Sequence, residues 1–521
     1  MPAEDDQRQS LPTGAALTDR FDKQASELIS IGNDRLDHIL GGGVTPNCFL
    51  LVEGDPGAGK TTLALQFALE GVRREEPVLY IALSEGETEL RAVAASHGLD
   101  LSGIDLIDLS PGSEVLTDES ATIFHPTDIE LGELTDAITQ SFERFKPKRV
   151  VIDSLGELRH LSQSDLRYRR QLMALKSYFR SKECTVLLID DRLESADLQL
   201  QGVARGTIEL QRSTPAYGRI RRRLQVSKMR GQQVRTGFHD FTIEHGGLKV
   251  FPRLVAAEHA DEFEHGCVTS RVPPLDSLLG GGVQKGTSTL VIGAAGTGKS
   301  SICAQYAYAA CQPSPDAPAP ARSAIYVFDE TAANFLHRCE GLGIPLREAR
   351  EAGQLIMRQV DSAELSPGEF AWHVRTSVED YGVRFVVIDS LNGLMHSMPD
   401  EDYLRGQLHE LLSYLSQKGV CTLITLSQHG LIGDDVESPV ETSYLADANI
   451  LLRYFEHRGR VRKAISVMKK RTGGHETAVR EIVFSDDGIT IGQPLEDFHA
   501  VLSGSPTYTG EDEQLIDDAC H

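Results

Sequence analysis

Short, almost continuous apolar runs punctuate this chain. Residues 48–53, 78–82, 149–152, 185–189 and 288–292 are four to six residues long and show no alternation with polar positions. Such runs predict strands buried on both faces. Between them lie longer stretches whose apolar residues recur every three or four positions, and residues 61–71 and 300–310 are read as helices. Strand and helix patterns in alternation predict an α/β fold with a mostly parallel sheet covered by helices on both faces.

The pattern occurs twice. Leu36-Asp-His-Ile-Leu-Gly-Gly-Gly-Val44 returns as Leu275-Asp-Ser-Leu-Leu-Gly-Gly-Gly-Val283, and Val150-Val-Ile-Asp-Ser-Leu155 returns as Val386-Val-Ile-Asp-Ser-Leu391. Lys228-Met-Arg230 is matched by Lys469-Lys-Arg471. An almost constant offset of about 240 residues marks two tandem domains, because solenoid repeats are far shorter, at ~20–50 residues. The expected division is a polar, disordered segment at 1–25, domains at 26–250 and 262–497, and an acidic tail at 498–521. The segment 311–322 holds four prolines in a loop with no counterpart in the first copy.

Composition narrows the classes. Acidic residues number 76 against 52 basic ones, for a net charge of −24, which disfavours a standing grip on nucleic acid. The short basic clusters at 167–170 and 219–223 fit solvated or interface faces better than a DNA-binding surface. No apolar run approaches the ~18 residues of a membrane span, and the chain opens on acidic residues. The expectation is therefore a cytoplasmic protein. Eight cysteines without a Cys-x-x-Cys pair point to reduced thiols. The 17 histidines form no metal-binding spacing.

The chemistry lies in a repeated glycine-rich loop. Gly54, Asp55, Pro56, Gly57, Ala58, Gly59, Lys60, Thr61 and Thr62 are matched by Gly293, Ala294, Ala295, Gly296, Thr297, Gly298, Lys299, Ser300 and Ser301. Each loop follows a strand and opens a helix, the context that a phosphate-binding loop requires. Glycines let backbone N–H groups converge on the β-phosphate of a nucleoside triphosphate. Lys60 and Lys299 supply charge to the β/γ-phosphates, and the hydroxyls of Thr61 and Ser300 reach Mg²⁺. Asp153 and Asp389 end later apolar strands and are the metal's carboxylate partners. Glu85, after Ser84, and the pair Asp329-Glu330 follow the next strand of each copy, where a carboxylate faces a nucleotide crevice. They are the candidate general bases.

Together the paired loops, the Leu-Asp-x-x-Leu-Gly-Gly-Gly-Val lead-ins, these carboxylates and the Lys-x-Arg strands resemble the KaiC family over roughly residues 27–500. That resemblance implies two tandem RecA-like P-loop NTPase domains in a double-ring homo-hexamer with nucleotide at the subunit interfaces. It implies an ATPase first ring, and a second ring that phosphorylates its own Ser/Thr residues. Lys228 and Arg230, and Lys469 and Arg471, match the pair that reaches a neighbour's γ-phosphate. The family's adjacent carboxylates are complete at Asp329-Glu330 and incomplete at Ser84-Glu85. Its acceptor pair falls on Ser443 and Tyr444, with Thr442 beside them. Partners of a KaiB-like or response-regulator type follow from the same resemblance. A nucleotide-dependent ring scaffold without kinase activity and a RecA-like DNA-dependent ATPase are the alternative readings.

Overall fold

The computed structural model describes residues 28–110, 126–162, 164–192, 198–313, 320–395, 401–428, 446–502, 507–509 and 515–516. The expected disordered segment and the candidate acceptors Thr442, Ser443 and Tyr444 lie outside the described residues. The chain divides into two compact units, Met1–Thr214 with Ile220–Arg253, and Pro215–Arg219 with Leu254–His521.

In the first unit the strands are β1 Phe49–Gly54, β2 Val78–Ala82, β3 Asp105–Asp108, β4 Arg149–Asp153, β5 Thr185–Asp191, β6 Gly206–Ser213, β7 Arg221–Met229, β8 His239–Glu244 and β9 Gly247–Phe251. They form one nine-stranded sheet in the order β3-β2-β4-β5-β1-β6-β7-β8-β9. Pairing is parallel from β3 to β6 and antiparallel from β6 to β9. In the second unit β10 Ser288–Gly293, β11 Arg322–Val327, β12 Leu355–Gln359, β13 Val383–Asp389, β14 Cys421–Ser427, β15 Ala448–His457, β16 Arg460–Lys470, β17 Arg480–Ser485 and β18 Gly488–Pro494 repeat that order strand for strand. The duplication read in the sequence is a duplication of topology.

The apolar runs form strands because both sheet faces are covered. On β1, Leu50 and Val52 pack with Leu63 and Phe67 of the helix Lys60–Arg73. Phe49 and Leu51 face the opposite way, onto Phe142 and Phe179. Strands β1, β4, β5 and β10 run one or two residues past their apolar stretches, to Gly54, Asp153, Asp191 and Gly293. The ladder continues there because neighbouring backbones still pair, whatever the side chains. These added residues are the ones nearest the phosphate loops.

Two features were invisible to pattern reading. A row of polar side chains crosses the first sheet at one level: Asp190, Glu53, Glu209 and Gln225 stand side by side on β5, β1, β6 and β7. Arg159 pairs with Asp190, Gln201 donates to Glu53 at 2.7 Å, and Gln225 donates to Glu209 at 2.8 Å. The same level of the second sheet holds Leu426, Ile292, Leu451 and Ser466. Second, the register slips by one residue between Thr207 and Ile208 opposite β7, and between Asn449 and Ile450 opposite β16. Each bulge lies beside the lysine of a Lys-x-Arg sequence. Phe498 and Val501, which the sequence division left in the tail, are buried against Phe455 and Leu495.

Candidate functional site

Each glycine-rich loop joins the end of the central strand to a helix N-terminus. Gly57 and Gly59 have φ of +72° and +109°, and Gly296 and Gly298 have +78° and +105°, values that L side chains rarely adopt. A Cβ on Gly59 would come within 2.7 Å of Ile243, and one on Gly298 would overlap the Phe484 ring. Backbone shape and the apolar floor thus both require glycine. The loop leads directly into the unpaired N–H groups of the helix's first turn, a ready anion site.

Around the first loop, Lys60 Nζ donates to the carbonyls of Gly54 at 2.9 Å and Asp55 at 3.0 Å, and pairs with Asp191 at 2.7 Å. Thr61 Oγ1 donates to Asp153 Oδ2 at 2.9 Å, and Tyr80 donates to the same oxygen at 2.7 Å. Burial raises the Asp153 pKa against the pull of these donors. The Arg212 amide donates to Asp55 at 2.9 Å, and its guanidinium and that of Arg222 donate to the Pro56 and Gly57 carbonyls, each at 3.4 Å. Ala58 is buried beneath the loop.

The second loop has a different set of partners. Lys299 Nζ donates to the carbonyls of Gly293 at 3.0 Å and Ala294 at 2.9 Å, and burial lowers its pKa. Asp389 accepts from Thr425. Tyr454, at the register position of Arg212, donates to the Ala295 carbonyl at 3.1 Å. The Thr297 hydroxyl closes onto Ala294 at 2.8 Å. Thr62 and Ser301 are buried below their loops, whereas Thr61 and Ser300 remain partly exposed.

The candidate bases lie at the same end of the sheets. Backbone bonds from Leu83 to Asp153 (2.6 Å) and from Phe328 to Asp389 (2.7 Å) tie their segments to the aspartate strands. Glu85 has its pKa raised by burial and then by Asp153. Asp329 accepts from Ser390, and Glu330 is paired with Arg338.

Lys228, Arg230, Lys469 and Arg471 do not join these groups. Gly54 is level with Leu210, which faces Leu224, while Lys228 faces Thr207 near the opposite end of the strands. Arg230 is therefore about 20 Å from the level of its own loop, at ~3.3 Å per strand residue. Lys469 faces Asn449, level with Leu290, toward the corresponding end of the second sheet's strands. Lys228 donates to the Ala204 carbonyl at 2.9 Å and Lys469 to that of Ala446 at 3.0 Å. Burial lowers the pKa of both lysines. Arg471 pairs with Asp447 at 3.4 Å.

Thr61 and Asp153 place a hydroxyl and a carboxylate oxygen in contact, a hard-oxygen pair that suits Mg²⁺, which takes few protein ligands and completes its shell with water and phosphate. Among the described residues no cluster of three or more His, Cys, Asp or Glu could hold a metal. No helix among them is long and apolar enough to cross a membrane. The seven cysteines among the described residues are free thiols.

Sequence reasoning missed Asp191, Tyr80, Arg212, Arg222, Thr425, Ser390, Arg338 and Tyr454. Asp191 carried the signal that identified Asp153, an acid ending an apolar strand. Arg222 belongs to the basic cluster read as a solvated or interface face; within it Arg221 is buried and Arg223 lies over the Phe238 ring at 4.8 Å.

The family model described as "ATPase: KaiC" matches residues 29–255 and again 268–496. The chain is 26% identical to the circadian clock oscillator protein KaiC of Synechococcus elongatus, over 92% of this chain and 91% of the relative. It is likewise 26% identical to the circadian clock oscillator protein KaiC 1 of a Synechocystis species, over 92% and 91%. To the circadian clock protein KaiC3 of a Synechocystis species it is 26% identical over 94% of this chain and 96% of the relative.

Proposed function

Because this chain belongs to the KaiC family of ATPases, we propose that it binds ATP at both phosphate loops, hydrolyses it in the first domain and phosphorylates itself in the second. The observation that carries this reading is the loop lysine beside a hydroxyl–aspartate pair at the end of the parallel strands, in a fold present twice. Lys60 and Lys299 bind the β/γ-phosphates. Thr61 with Asp153, and Ser300 with Asp389, would hold Mg²⁺, which supplies charge to the phosphates when bound.

In the first domain Glu85 takes a proton from water as the oxygen–phosphorus bond forms and the bond to the β–γ bridging oxygen breaks, leaving ADP and phosphate. In the second, Glu330 plays that part toward a hydroxyl of Ser443, Thr442 or Tyr444, and the phosphoryl group stays on the chain. Arg338 orients Glu330. Lys228 with Arg230, and Lys469 with Arg471, lie at the wrong end of their own sheets to assist in cis. They serve a neighbouring copy, so activity requires a ring, taken as a homo-hexamer. The relatives are described as circadian clock proteins, and a timing or signalling output through protein partners in the cytoplasm is the role proposed for this chain.

An intact-mass time course in Mg-ATP, followed by peptide mapping of residues 430–450, tests the kinase half. The expected result is a gain of one phosphate on Ser443 or a neighbour, absent from Lys299→Ala. Steady phosphate release with no gain in mass would leave a ring ATPase and remove the kinase assignment.

A further inference from the structure

Around the strand ends that flank each loop, the two sites place their carboxylates differently. The segments after β2 and β11 are matched by the backbone bonds from Leu83 to Asp153 and from Phe328 to Asp389, so Ser84 stands where the second domain has Asp329. The ends of β5 and β14 are matched by register, Gly54 with Asp191 and Gly293 with Ser427. There the exchange runs the other way: Asp191 stands where the second domain has serine. Strand β5 lies between β4, which carries Asp153, and β1, which leads into the loop. Asp191 contacts Lys60 at 2.7 Å, and its side chain is 52% exposed. The neighbouring Asp190, by contrast, is buried and paired with Arg159, so the strand end is anchored without Asp191.

We infer that Asp191 is the second catalytic carboxylate of the first domain, supplying from β5 the acid that position 84 lacks. This deepens the proposed ATPase reading and rests on it. Lys60 turns from Asp191 to the β/γ-phosphates when ATP binds. The freed carboxylate then accepts a hydrogen bond from one O–H of the attacking water while Glu85 takes the proton of the other. The oxygen–phosphorus bond forms, the bond to the bridging oxygen breaks, and the proton on Glu85 passes to solvent. The same contact makes Asp191 a competitor of the phosphates for Lys60, so it acts on binding and on chemistry in opposite directions.

The test uses full-length protein carrying Lys299→Ala, in which the second site is silenced. Asp191→Ser is expected to lower kcat at least tenfold, short of the ~10²-fold or more of a full general base because Glu85 still takes the proton. It should tighten the Kd of a fluorescent ATP analogue several-fold. Adding Ser84→Asp, which recreates the second-domain arrangement, is expected to return most of the lost kcat. An unchanged kcat in Asp191→Ser would overturn the inference. So would a loss of kcat accompanied by weaker binding and not rescued by Ser84→Asp, the outcome of a merely structural role. A Lys299→Ala parent that binds no nucleotide would instead overturn the ATPase reading, and this inference with it.

Discussion

A mixing experiment between two inactive variants tests whether the sites are completed across subunits. Arg230 lies beyond Met229, which is level with Leu50, whereas the first phosphate loop begins past Gly54 at the opposite end of that ladder. The separation of about 20 Å at strand rise exceeds the reach of an arginine, so no rotamer brings Arg230 to its own loop. Lys60→Ala and Arg230→Ala, each made with Lys299→Ala, should both be inactive. The arginine variant should fall by three orders of magnitude or more, the usual loss for an arginine finger. After equal mixing and subunit exchange, an interface is complete only when Lys60 comes from the arginine variant and Arg230 from the lysine variant. Random assembly makes about one interface in four complete, so phosphate release should recover to roughly a quarter of the parental rate. Exchange is verified separately by energy transfer between labelled subunits. Verified exchange without recovery would refute the trans assignment, as would an Arg230→Ala protein that hydrolyses ATP at the parental rate.

Two other perturbations probe the loop and the fold. Gly298→Ala forces an L side chain to φ +105° over the Phe484 ring; strain of about 1–2 kcal/mol and overpacking of about 1–3 kcal/mol should lower the second domain's melting temperature and weaken ATP binding there at least tenfold by titration calorimetry. Unchanged affinity would mean that the loop tolerates another shape. His239 is buried and takes a 2.7 Å hydrogen bond at Nδ1 from the Arg253 amide, and burial lowers its pKa from 6.5 to about 4. Between those values the unfolded chain binds a proton that the folded chain excludes, so stability falls as pH drops through that window, by up to about 3 kcal/mol. Urea unfolding of the first domain should be less pH-sensitive between pH 4 and 6.5 in His239→Gln, and an unchanged slope would refute the argument.

The fold was legible because its strands are buried on both sides, which leaves runs that polar interruption cannot mimic. The loops were legible because backbone at positive φ needs glycine at fixed spacing. What escaped was set by register. That Asp191 meets Lys60 depends on β5 lying beside β1, a neighbour relation that periodicity does not encode. Arg212 and Arg222 reach the loop because the β6–β7 hairpin pairs them across from each other; in the bare sequence Arg222 reads as part of a basic cluster and Arg212 carries no signal. The placement of Lys228 and Lys469 was beyond pattern reading for the same reason. Only the antiparallel pairing shows that they sit at the far end of the strands, each beside a bulge of the kind that re-aims a side chain.

The polar row through the first sheet has a consequence for how the two halves can diverge. In the second domain that level is mostly aliphatic, and one hydrocarbon can replace another there at modest cost. In the first, Asp190, Glu53 and Glu209 each depend on a named donor, and removing one member strands a buried charge or dipole. Drift at this level is therefore gradual in one half of the gene and all-or-nothing in the other. At this level of the sheet the first domain is thus the one that tolerates single substitutions least.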